Sequence, residues 1–172
     1  METEALMVGV VMQHIAIASA WQSHQWRTLA VLVDRPYAPT APVCLQSQPD
    51  DWRWCFGGLA VQLHSDEAEG YFLNLGATMP CWFVMSRLEE GPEGEWLVPR
   101  RITLSYNEAA RLMDAGERVD TVALPEAVLE RLGSFVRAYY RPEQKTRRKK
   151  PSFEGGEAVA RMAQGEVSHG GE

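Results

Sequence analysis

Between residues 6 and 104 the apolar side chains recur in short extended runs. Each run is ended by Gly, Pro or a polar cluster, and that punctuation confines the chain to a β-rich body. Residues 6–17, rich in Val and Ile, read as a first strand, and 19–25 as a polar connection. Residues 26–33 read as a second strand, apolar on both faces towards its end, as in a doubly covered strand. Pro36, Pro39, Pro42 and Pro49 forbid regular ladder pairing and make 34–51 a loop. A strand resumes over 52–64, with Gly57-Gly58 as its bend or bulge. Trp52 and Trp54 share one of its faces and Arg53 takes the other. Further on, Leu59, Val61 and Leu63 alternate with Gln62 and His64. Residues 65–70 read as a polar turn, Tyr71 to Leu75 as a short strand, and Pro80 to Leu88 as another. Residues 89–95 form an exposed turn, after which Trp96 to Leu104 pairs back as a hairpin.

At residue 105 the period changes. Ser105 followed three residues later by Glu108 fits a capping box, and Ala109, Ala110, Leu112 and Met113 continue a helix that Gly116 can end. A short extended piece spans Val119 to Leu124. Pro125 suits the first position of a second helix, with Glu126 in its first turn. Val128, Leu132, Phe135, Val136 and Tyr139 recur at helical spacing and should dock on the sheet. The expected fold is therefore α+β. It has a mostly antiparallel sheet or partly open barrel of about six to seven strands, then two C-terminal helices. Residues 1–141 form the domain, and 142–172 a basic, then acidic, flexible tail.

The chain has 172 residues, a length that suits one domain, and six tryptophans supply large apolar area for its core. Its net charge of −6 is unevenly spread. Residues 1–140 hold 10 basic and 18 acidic side chains, whereas 141–150 hold six basic and one acidic. Such a basic run is an electrostatic handle for a partner. Cys44, Cys55 and Cys81 are an odd, widely spaced set without a CxxC pair, which argues against a disulfide framework or a structural zinc site. The longest apolar stretch is interrupted at Gln13 and His14, short of the ~20 residues a spanning helix needs. The first residues are acidic, unlike a secretory signal, so a cytoplasmic location is expected.

No nucleotide-binding loop, nucleophile elbow or HExxH pair occurs, and no catalytic residue is assigned. The densest polar patch, His64 to Glu69 with Tyr71 and Asn74, could serve a divalent cation or acid–base chemistry. The same residues suit a solvated turn in which Asp66 bonds its own backbone. Trp21 and Trp26, with His24 and Arg27, could form a stacking surface or pack into core and rim. The acidic body argues against nucleic acid as its ligand. The run Lys145, Arg147, Arg148, Lys149 and Lys150 could contact nucleic acid, anionic lipid or an acidic protein face, or simply be solvated.

The order of segments also carries a resemblance. The stretch from Leu59 through His64, Glu67, Glu69, Tyr71 and Asn74 to Leu75 resembles the middle of a bacterial family of uncharacterised proteins. So do Trp21 to Val33, Pro80 to Arg87, Ile102 to Ala109 and Val119 to Pro125, covering roughly residues 6–150. Tyr106-Asn107 departs from the family's Ser-Pro-Tyr-Glu-Ala turn. Members are typically encoded beside molybdenum- or tungsten-dependent formate dehydrogenases, and some are labelled molybdopterin-guanine dinucleotide biosynthesis proteins. The resemblance implies a role in assembly, maturation or regulation of a formate dehydrogenase, with one of its subunits as partner. It also implies an alternative, transient binding of a molybdopterin nucleotide, for which His64, Glu67, Glu69, Tyr71 and Asn74 are the candidates. Trp21, Trp26 and the basic run are the candidates for partner binding, and a nucleic-acid-linked regulator acting through that run is a further alternative.

Overall fold

The computed structural model describes residues 5–33 and 41–143. Among these residues two antiparallel sheets hold seven strands, and three α-helices accompany them, so the fold is α+β. In the first sheet β1 (Leu6–Ala16) lies between β2 (His24–Leu32) and β4 (Asp51–Val61), and β3 (Val43–Gln48) pairs with the outer edge of β4. In the second, β5 (Cys81–Gly91) lies between β6 (Gly94–Thr103) and β7 (Arg118–Ala123). The helices are α1 (Ala68–Leu75), α2 (Tyr106–Asp114) and α3 (Glu126–Tyr139).

The central strands follow the apolar runs. Val8, Val10 and Met12 of β1 meet Trp82 and Val84 of β5 in one core, each at most 1% exposed. Gly57 and Gly58 stand opposite the single Gly9, because Val8 pairs with Leu59 and Val10 with Phe56. The two glycines thus form the expected bulge, and Gly58 takes a φ of 77° that a Cβ would disfavour.

The sheets keep separate ladders, but their edges meet through side chains. Thr28 Oγ1 of β2 donates to Asp120 Oδ2 of β7 at 3.0 Å. Arg118 donates to the carbonyl of Trp26 at 3.1 Å, and the Trp26 indole donates to the carbonyl of Glu95 at 3.1 Å.

Several expectations are corrected. Residues 71–75 are helical, not extended, and 65–70 form a 3-10 turn (Ser65–Glu67) leading into that helix. Tyr71 and Asn74 lie three apart and are both buried, a spacing that turns them to one helical face. The expected loop 34–51 contains β3. Pro42 stands just before Val43 and Pro49 just after Gln48, so these two flank the strand instead of interrupting it, while residues 34–40, with Pro36 and Pro39, lie outside the described residues. The turn at 89–95 narrows to Pro92 and Glu93, because the β5–β6 ladder runs on to the pair Gly91 and Gly94. Pro125 is the N-cap of α3, one position earlier than expected.

The α2 cap forms in part. The backbone N–H of Glu108 donates to Ser105 Oγ at 3.1 Å. Its carboxylate does not close the box. It accepts from Thr103 Oγ1 at 2.6 Å and pairs with Arg101, while the Ser105 N–H donates to Thr103 Oγ1. Gly116 ends the helix at a φ of 83°, as its position predicts. The apolar stripe of α3 joins the common core, with Leu132 fully buried and Phe135 edge-on to Tyr71 of α1.

Candidate functional site

The polar residues singled out from sequence separate into two groups. His64, Asp66 and Glu67 line a cleft of about 480 Å³ with Gln62, Arg101, Thr103, Glu108 and Arg111. Tyr71 and Asn74 are buried beneath it as parts of the frame. The Tyr71 hydroxyl accepts the backbone N–H of His64 at 3.1 Å, and burial pushes the phenol's pKa up. Asn74 donates to the carbonyls of Cys81 and Leu104 at 2.8 and 2.9 Å and accepts the Cys81 N–H at 3.0 Å. One side chain thereby ties α1 to the start of β5 and the segment just after β6. Glu69 is exposed and does not line the cleft.

Charge in the cleft is matched internally. Glu67 accepts from Ser105 Oγ at 2.6 Å and pairs with Arg111, and Glu108 pairs with Arg101. Ser105 is fully buried, and its hydroxyl serves as helix cap and as donor to Glu67. Among the described residues no three His, Cys, Asp or Glu side chains gather as a cation would need. Each acidic side chain that frames the cleft wall already has an assigned structural partner, except Asp66 at its exposed edge.

A second concavity, of about 470 Å³, differs in character. Trp54, Phe56, Trp96 and Val98 supply its apolar floor; Glu89, Glu90 and Glu93 of the β5–β6 tip stand with Arg100 at its rim. The floor is held by ring packing. Trp96 lies 4.7 Å from Trp54 and 5.9 Å from Trp26, centroid to centroid, and edge-on to Phe56. Gly91 makes the close approach possible: a Cβ there would stand 2.3 Å from the Trp96 ring. The aromatic row continues along the first sheet. His14 pairs across the strands with Trp26 and Trp52, and its ring stacks on His24 at 5.0 Å. Partial burial, with His24 alongside, lowers the His14 pKa from the ordinary value.

Of the partner-binding candidates, Trp26 belongs to this aromatic row as a half-buried member. Trp21 stands in the β1–β2 connection, 96% exposed. Lys145, Arg147, Arg148, Lys149 and Lys150 lie outside the described residues. Sequence reasoning missed the groove because its walls come from β4, β6 and a hairpin tip far apart in the chain. The available signal was the Gly-Pro-Glu-Gly tip with Trp96 two residues beyond it.

The chain belongs to the family described as protein of unknown function (DUF3305), whose model matches residues 7–149. No curated protein and no solved structure matches it. Among the described residues no helix is long and apolar enough to cross a membrane.

Proposed function

We propose that this member of the family acts by binding a protein, as an accessory factor in the assembly or maturation of a molybdenum-dependent formate dehydrogenase. The observation that carries the binding reading is the groove in which half-buried Trp54 and Val98 form an apolar floor backed by the core residues Phe56 and Trp96. Buried aromatic anchors within a polar rim are the arrangement from which protein interfaces draw most of their affinity. The tie to formate dehydrogenase rests on the resemblance in segment order.

A molybdopterin nucleotide is the alternative ligand, and the polar cleft gives it less support. Both guanidiniums there are already neutralised, Arg101 by Glu108 and Arg111 by Glu67. Phosphate groups would have to compete with those carboxylates, so the residues present do not fit this group. Regulation through nucleic acid would depend on the basic run, since the groove rim carries three carboxylates and one guanidinium.

The test is a strain lacking the gene, complemented with the wild-type chain or with Val98→Glu, which places a charge in the groove. Formate dehydrogenase activity should fall in the deletion strain, return with the wild type and stay low with the variant. A tagged chain should retain a formate dehydrogenase subunit through purification. Undiminished activity in the deletion strain, with both proteins eluting separately at low salt, would sink the proposal.

A further inference from the structure

We infer that the groove takes an extended peptide segment in which apolar side chains are flanked by lysine or arginine. This deepens the protein-binding reading and rests on it.

The argument is one of charge placed around an apolar floor. The hairpin that closes the groove carries Glu89, Glu90, Glu93 and Glu95 within seven positions. Glu89 is bonded to Arg100, which holds its carboxyl below the usual carboxylate range and occupies the one cation that lines the groove among the described residues. Glu90 and Glu93 make no ion pair with the described residues and are exposed at the rim. The groove is therefore net negative where solvent enters it and apolar beneath. An incoming apolar side chain would cover Trp54 and Val98 and displace water from beside those carboxylates. That desolvation strengthens attraction to a flanking cation and penalises a flanking anion. The volume lies in the ~300–1,000 Å³ range of ordinary ligand clefts, room for a few side chains and too little for a folded domain. The polar cleft does not offer this asymmetry, because its arginines and glutamates cancel within it.

The test uses the full chain and two synthetic peptides sharing a Leu-Phe centre, one flanked by Lys and Arg and the other by Glu. Binding is read by calorimetry and by tryptophan emission, since Trp54 and Trp96 line the site. The basic peptide should shift the emission and bind at least about tenfold tighter than the acidic one. High salt, or the paired exposed substitutions Glu90→Lys and Glu93→Lys, should remove about tenfold of that affinity.

Equal binding of both peptides, blocked by Val98→Glu, would overturn the charge preference and leave the docking reading standing. Binding of neither peptide, with a formate dehydrogenase subunit still retained, would do the same. Failure of both retention and peptide binding would remove the docking reading as well. Two other occupants have their own signatures. If replacing Lys145, Arg147, Arg148, Lys149 and Lys150 by Gln in the full chain raised peptide affinity about tenfold, the chain's own basic run would be the occupant. If the chain self-associated and Glu90→Lys with Glu93→Lys abolished it, the occupant would be a second copy. Either result overturns the inference.

Discussion

Single residues in this fold do work that their chemistry alone does not announce. Asn74 looks like a ligand in the sequence but spends three hydrogen bonds on backbone groups of β5 and the segment after β6. Asn74→Ala should therefore cost about 3 kcal/mol, because buried donors and acceptors would be left unmatched, and urea unfolding measures it. Gly70 and Gly133 make a second contrast. At Gly70 of α1 a Cβ would stand 2.1 Å from Ser105 Oγ, whereas at Gly133 of α3 the nearest atom is the movable end of Arg137 at 3.3 Å. Gly70→Ala should lower stability by about 1–3 kcal/mol through overpacking. Gly133→Ala should raise it by up to about 1 kcal/mol through helix propensity. Equal midpoints for the two variants would contradict the packing described. Neither the staple nor the close approach is legible in sequence, since both depend on what a distant segment brings alongside.

At the scale of elements, the long strands and the helices α2 and α3 were legible because each carries its own periodicity and stop signal. Helix α1 was not. It is eight residues long, and its apolar run Tyr71–Leu73 is too short to distinguish the two periods. Strand β3 was hidden among prolines, of which Pro42 and Pro49 flank it. The β1–β2–β4 aromatic row predicts a pH effect. His14 stands between Trp26 and Trp52, and its folded-state pKa lies below the ordinary 6.5. The unfolded chain therefore binds this proton more readily, so the stabilisation is complete above the unfolded pKa and declines as pH falls through it. Between about pH 7.5 and about pH 5.5 the wild type should lose more melting temperature than His14→Gln does. Parallel curves for the two proteins would rule this out. Glu89 and Glu117 act in the same sense, in a more acidic range. Bonding to Arg100 and Arg87 respectively lowers their pKa, so their contribution persists until strong acid protonates them.

For the whole molecule the decisive feature is that both sheets and the long helix share one core. Val8 and Val10 of the first sheet, Trp82 and Leu97 of the second and Leu132 of α3 belong to a single apolar cluster. The seam between sheets adds Thr28 to Asp120 and Arg118 to the Trp26 carbonyl. A shared core couples the sheets, so unfolding should be one transition. Far-ultraviolet dichroism and tryptophan fluorescence should give coincident curves. Two separated midpoints would mean that the sheets are independent units. The groove belongs to this scale too. It exists because β4 and the β5–β6 tip converge, and its acid rim matches the acidic balance of the whole body.

What the sequence determined by itself was local: where extended and helical periods run, where Gly58 and Gly116 bend the backbone, and where charge of each sign accumulates. These are properties of neighbouring residues, and neighbours suffice to reveal them. The tertiary structure decided the rest. It split the strands into two sheets, turned Tyr71 and Asn74 inward as frame, and paired Glu67 and Glu108 with arginines. It also brought half-buried Trp54 and Val98 together over buried Phe56 and Trp96 as the floor of a groove. Each of those outcomes is set by which distant segments come into contact, and burial and electrostatic pairing act through space whatever the separation along the chain.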